Sequence, residues 1–122
     1  MALAQPKLRR GRIVWAEISD RNGIAKLRPV VILTPTEEIP NSNTLSVVAI
    51  STTFPDPPPG DYIPLPWHPR GHPITRLKKR SAVVAKWVAT IEPQNVMEMG
   101  GDVPKKQLIA IDKKLLELDQ PE

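Results

Sequence analysis

Arg28-Pro29-Val30-Val31-Ile32-Leu33 places one cation ahead of an apolar, β-branched run, and Val47-Val48-Ala49-Ile50-Ser51-Thr52-Thr53 ends a second such run in three hydroxyls. Both stretches have the length and composition of strands. Pro29 is tolerated at the first residue of a strand, and it restricts Arg28 to an extended backbone. If the two strands are neighbours, a fixed guanidinium and a hydroxyl cluster meet at one rim of a sheet. That pairing suits a phosphodiester, because arginine matches phosphate geometry and a hydroxyl can share or relay a proton.

Working outward, the stretch 12–18 reads as a strand, and Ser19-Asp20-Arg21-Asn22-Gly23 supplies a turn with an Asn-Gly signal. Strands follow at 29–34 and 45–52, separated by a polar loop from Pro35 to Asn43. A short edge strand is expected at 62–65. The longest strand candidate is 81–91, with Val83, Ala85, Trp87, Ala89 and Ile91 on one face. Residues 93–99 fit one or two helical turns, broken by Gly100-Gly101. Asp102-Val103-Pro104 then looks like a helix start, with an acid at the cap and an early proline. Leu108, Ile111, Leu115 and Leu118 recur at helical spacing, giving an amphipathic helix over about 103–118.

Fifteen prolines are unusual for 122 residues, and eight of them fall between positions 55 and 73. Proline cannot donate to a sheet ladder, so 55–73 is expected to be loop and edge strand. It is either a rigid surface connection or a preorganised binding loop. Residues 1–10 read as a basic flexible arm, and 11–120 as a single domain. Short strands followed by one helix predict a mainly β fold, a small bent antiparallel sheet or barrel with the helix packed on it. The chain shows no βαβ alternation, no repeat and no glycine-rich phosphate loop, which argues against a nucleotide-binding α/β fold.

Seventeen Lys and Arg against thirteen Asp and Glu give a formal charge of +4, compatible with a polyanionic partner. The absence of cysteine excludes disulfides, thiolate metal sites and thiol catalysis. The apolar runs are strand-sized, so no membrane span is expected. The first residues lack the apolar core of a signal peptide, and a cytoplasmic protein is the simplest reading.

Several segments, taken in order, resemble the MazF/PemK family of endoribonuclease toxins. Arg10-Gly11-Arg12-Ile13-Val14-Trp15 is similar to that family's opening, and Arg28–Leu33 to its RPVVV strand. Val48-Ala49-Ile50-Ser51 resembles its strand ending in a catalytic Thr or Ser. Ser81-Ala82-Val83-Val84, followed by Trp87–Ile91, resembles a later strand, and the final helix falls where the family has one. The resemblance spans roughly residues 10 to 118. It implies an SH3-like barrel, a homodimer, and cleavage of single-stranded RNA without a metal or other cofactor. It also implies a cognate antitoxin as partner.

Carried over by position, the catalytic pair is Arg28 and Ser51, with Thr52 one register step away and Thr53 beside it. Arg28 would steady the charge on phosphorus, and Ser51 would position or protonate an oxygen. His68 and His72, in Trp67-His68-Pro69-Arg70-Gly71-His72-Pro73, are candidates for a base and an acid, or simply exposed loop residues. No Asp, Glu or Cys stands near them at ligand spacing, so no metal site is expected. Trp67, Arg70, Arg76, Lys78, Lys79 and Arg80 are candidate RNA contacts, the aromatic by stacking on a base and the cations by following phosphates. The alternatives are an edge hydrophobe and a solvated charge run. Trp15 and Trp87 fit core or dimer packing better than RNA stacking.

The chain departs from the family in a short, single-glycine connection before Arg28, in Lys86-Trp87, and in the proline-rich insert. Two competing readings share the fold: a module that binds RNA or antitoxin without cutting, and a toxin acting on a protein target such as DNA gyrase.

Overall fold

The computed structural model describes residues 8–119. Six strands, β1 (Arg12–Ser19), β2 (Ala25–Ile32), β3 (Leu45–Ser51), β4 (Tyr62–Leu65), β5 (Ser81–Ile91) and β6 (Val96–Asp102), precede one helix, α1 (Lys105–Leu118). The strands form one sheet in the order β4-β5-β3-β2-β1-β6, every pairing antiparallel. The mainly β expectation holds. The sheet is bent but open, since no ladder among the described residues joins β4 to β6.

The continuous apolar runs of β2 and β3 have a direct structural cause: both faces of the sheet centre are buried. Val14, Val30 and Ala49 stand side by side and pack into one core with Ile18, Ile32, Leu45 and Val47. Ile13, Val31 and Val48 stand side by side one residue along and pack into a second core with Ile50, Leu65, Val83 and Ile111. Each Val, Leu or Ile among them contributes roughly 1.5–3 kcal/mol when fully buried. Helix α1 closes the second core through Leu108, Ile111 and Leu115, while Leu118 stays 42% exposed, so the predicted apolar stripe ends one turn early.

The β1–β2 connection is the predicted tight turn. Asp20 Oδ1 accepts the N–H groups of Asn22 and Ile24 at 2.8 and 3.0 Å, and Gly23 takes a left-handed φ of +79°.

Four local expectations are corrected. Residues 8–10 are not a free arm: Leu8 is buried, Arg9 pairs with Asp102 at 2.8 Å, and Arg10 donates to Asp112 and to the Leu33 carbonyl. Residues 1–7, the rest of that expected arm, lie outside the described residues.

Residues 93–99 are not helical beyond one 3-10 turn, Pro93–Asn95; Val96 begins an edge strand against β1. Asp102 does not cap α1. It ends β6 and binds Arg9, and Pro104 occupies the cap position without a side-chain hydrogen bond.

Finally, the single face expected along 81–91 is split. The pairing of β3 with β5 passes from Val48↔Val88 to Ile50↔Val83, a bulge that turns the strand over. Val83 therefore enters the second core, whereas Trp87 and Ala89 lie against the first.

Candidate functional site

Strands β2 and β3 pair at Val30↔Ala49, Val31↔Val48 and Ile32↔Val47. Continued by two residues, that register sets Arg28 against Ser51, at the point where the two strands part. The β5 bulge lies beside this gap, since Ala49 is the residue it skips. A groove of about 720 Å3 opens there, and its walls include Arg28, Ser51, Thr52, Thr53, Arg76, Lys78, Lys79 and Trp87. The cation and the hydroxyl cluster singled out in the sequence share one cavity.

Arg28 is held in place on three sides. Its guanidinium carbon lies 5.0 Å from the centre of the Trp87 ring, Nη2 is 3.6 Å from Asp20 Oδ2, and Nε points to the Ile18 carbonyl at 3.5 Å. The Arg28 side chain nevertheless keeps 21% of its surface exposed, so it can reach a ligand. The Ile24 N–H, helped by the Asn22 N–H and the Arg28 charge, holds the Asp20 carboxyl below the usual carboxylate range. Asp20 is therefore an anion beside Arg28 at neutral pH.

The three hydroxyls are not equivalent. Ser51 Oγ donates to the Thr53 carbonyl at 3.0 Å and accepts the Thr53 N–H at 3.1 Å, so it shapes the strand end. Thr52 and Thr53 are exposed on the groove wall.

The basic wall is built by the loop that follows β4. Thr75, fully buried, donates through Oγ1 to the Pro66 carbonyl at 2.8 Å and accepts the Leu77 N–H at 3.1 Å. The N–H groups of His68 and His72 both reach the Leu77 carbonyl. These bonds turn Arg76, Lys78 and Lys79 toward the groove.

Both histidines use Nδ1 to organise this loop: His68 Nδ1 accepts from Arg70 N, and His72 Nδ1 accepts from Ile74 N and Thr75 N. Trp67, His68, Arg70, His72 and Arg80 are not among the groove-lining residues. Arg80 instead clamps the proline-rich loop, donating to the Phe54 and Pro55 carbonyls at 2.8 and 3.0 Å with its guanidinium 3.8 Å over the Phe54 ring. Replacing His72 by Ala removes the one ring nitrogen that accepts the Ile74 and Thr75 N–H groups, which is expected to lower stability by about 1 kcal/mol. The pH–rate profile of any activity should superimpose on that of the unmodified protein. A changed profile would give the imidazole a chemical role.

Sequence reasoning missed several contributors. Trp15 and Trp87 line the groove rather than only packing inside it, and Leu27 and Glu98 line it too. The β5 bulge brings Trp87 to the groove, and single-strand periodicity carries no signal for a bulge. Glu98 sits on β6, the strand expected to be helical. Among the described residues there is no group of three or more His, Cys, Asp or Glu that could hold a metal ion. No helix is long and apolar enough to cross a membrane.

The fold has close relatives in shape among solved structures. MazF from Deinococcus radiodurans superposes with a TM-score of 0.73 at 18% identity, covering 91% of this chain and 94% of that one. Mycobacterium tuberculosis toxin MazF-mt6 gives 0.69 at 22% identity, covering 91% and 99%. A mycobacterial endoribonuclease in complex with its cognate antitoxin gives 0.67 at 17% identity, covering 93% and 99%. No curated protein matches the chain. The family model of the PemK-like, MazF-like toxins of type II toxin–antitoxin systems matches residues 9–118. That match covers nearly the whole chain, both strands of the groove and the helix behind them, and the chain belongs to the PemK-like, MazF-like family of type II toxins.

Proposed function

We propose that this toxin is an endoribonuclease that cuts single-stranded RNA through its own 2′-hydroxyl, without a metal. One juxtaposition carries the reading: an oriented, ligand-accessible Arg28 and the Ser51–Thr53 hydroxyls line a single groove together with Arg76, Lys78 and Lys79. In such a cleavage the 2′-oxygen attacks phosphorus, the P–O5′ bond breaks, and a 2′,3′-cyclic phosphate and a free 5′-hydroxyl result. One proton leaves the 2′-hydroxyl and one arrives at O5′.

Arg28 binds the two non-bridging oxygens and stabilises the charge that gathers on them. Ser51 holds the turn, and the Thr52 and Thr53 hydroxyls hydrogen-bond the phosphate and relay to O5′ the proton that the 2′-hydroxyl gives up to a non-bridging oxygen, so that no net proton is gained or lost. Arg76, Lys78 and Lys79 follow the flanking phosphates. A cognate antitoxin is the expected protein partner, a second copy of the chain completes a homodimer, and the cytoplasm is the expected site of action. The relative solved with its own antitoxin supports the first of these.

The test is a long unstructured RNA incubated with the purified protein in EDTA. Discrete fragments ending in cyclic phosphate are expected. Intact RNA that is nonetheless bound would mark a binding module, and growth arrest with RNA left intact would point to a protein target.

A further inference from the structure

Glu98 is the one carboxylate among the groove-lining residues, which also include Arg28, Arg76, Lys78 and Lys79. It is exposed, and it takes part in none of the ion pairs among the described residues. A bare carboxylate repels the phosphates that the surrounding cations attract. Its presence fits a ligand that brings N–H donors to that point of the groove.

Its neighbours indicate which donors. Strand β6 sets Glu98 beside Trp15 and Met99 beside Val14, between two register shifts in the β1–β6 pairing. Bulges of this kind re-aim side chains next to functional sites. Trp15 and Met99 line the groove with Glu98, and Trp15 is only partly buried. An indole face beside a carboxylate can stack an unpaired base and read its edge at once.

We propose that Trp15 and Glu98 form a base-binding subsite that selects guanine in single-stranded RNA; this rests on the ribonuclease reading above. A carboxylate is acceptor-only and has two oxygens. Guanine alone presents two adjacent donors, N1–H and the N2 amino group, on its Watson–Crick edge. Adenine and cytosine set one amino group beside a ring-nitrogen acceptor, which faces the second carboxylate oxygen unfavourably. Uracil sets its single N–H between two carbonyls.

The experiment measures binding of 2′-O-methyl pentanucleotides, which cannot be cleaved through the 2′-oxygen. One carries a single guanine in a uridine background, and the others carry inosine or adenine at that place. The unmodified protein should bind the guanine oligonucleotide about 10-fold more tightly than the inosine one, which lacks only the N2 amino group. In Glu98→Ala that preference should vanish while the fold, read by circular dichroism, is kept. Equal binding of all three oligonucleotides by the unmodified protein, or a guanine preference that survives in Glu98→Ala, overturns the subsite. So does a Glu98→Ala variant that loses cleavage equally at every site, which would make Glu98 a general base. A protein that binds no RNA at all defeats the ribonuclease reading first, and the subsite with it.

Discussion

Replacing Arg28 by Ala should slow RNA cleavage by about 10^2- to 10^3-fold, the loss seen when one preorganised donor to a developing oxyanion is removed. The fold should survive. The substitution leaves the backbone pairing of residue 28 with Ala16 in place, and the ion pair it removes with Asp20 is long and partly solvated. Arg28→Lys should be nearly as inactive. A lysine keeps the charge but loses both the fork that grips two phosphate oxygens and the plane that lies over Trp87. Trp87→Leu separates orientation from charge: the guanidinium stays, but its support is gone. Its kcat should fall with little change in KM, because the proposed RNA contacts of Arg76, Lys78 and Lys79 are left in place. The measurement is single-turnover cleavage of a fluorescent RNA, with thermal melts as the folding control. Full activity in Arg28→Ala would remove the arginine from the chemistry.

The same residues show how much of this site the sequence disclosed. Arg28 and Ser51 are legible because each stands where an apolar run meets a polar group, and the β2–β3 register then sets them opposite one another. The uninterrupted apolar runs also foretell the two-sided burial of the sheet centre, since a strand with one wet face would alternate. Trp87 and Glu98 are not legible in the same way. Trp87 reaches Arg28 because β5 bulges opposite Ala49, and the bulge is set by pairing with β3, not by the local pattern of β5. The cations divide for a similar reason. Arg76, Lys78, Lys79 and Arg80 look alike in sequence, yet a loop shaped by hydrogen bonds that His72 Nδ1 and Thr75 Oγ1 accept carries the first three to the groove, while the Phe54 and Pro55 carbonyls capture Arg80.

Gly101→Ala should be among the most destabilising single substitutions in the protein. In sequence, Gly100-Gly101 reads as a helix breaker. In the fold both residues belong to β6, and their hydrogen side chains are what let two backbones meet. A Cβ on Gly101 would stand 2.0 Å from the Ile74 carbonyl oxygen and 2.6 Å from the Thr75 carbonyl atoms. No rotamer relieves this clash, because every one of those atoms is main chain. The strand and the loop would have to separate, breaking the bonds from Gly101 N to Thr75 O and from Asp102 N to Ile74 O. Two backbone hydrogen bonds together with the strain put the loss at roughly 3–5 kcal/mol. That loss is large against the total stability of a domain this size. A fall in Tm of more than about 10 °C is the expected readout. Gly60→Ala is the control, since nothing lies within 4 Å of its would-be Cβ, and its melt should be unchanged. Thr75 anchors the loop that carries Arg76, Lys78 and Lys79, so Gly101→Ala should also weaken RNA binding at temperatures where it remains folded. A Gly101→Ala protein with the parental Tm would mean that β6 and the 74–75 loop are not held this closely, and the groove wall would need another anchor.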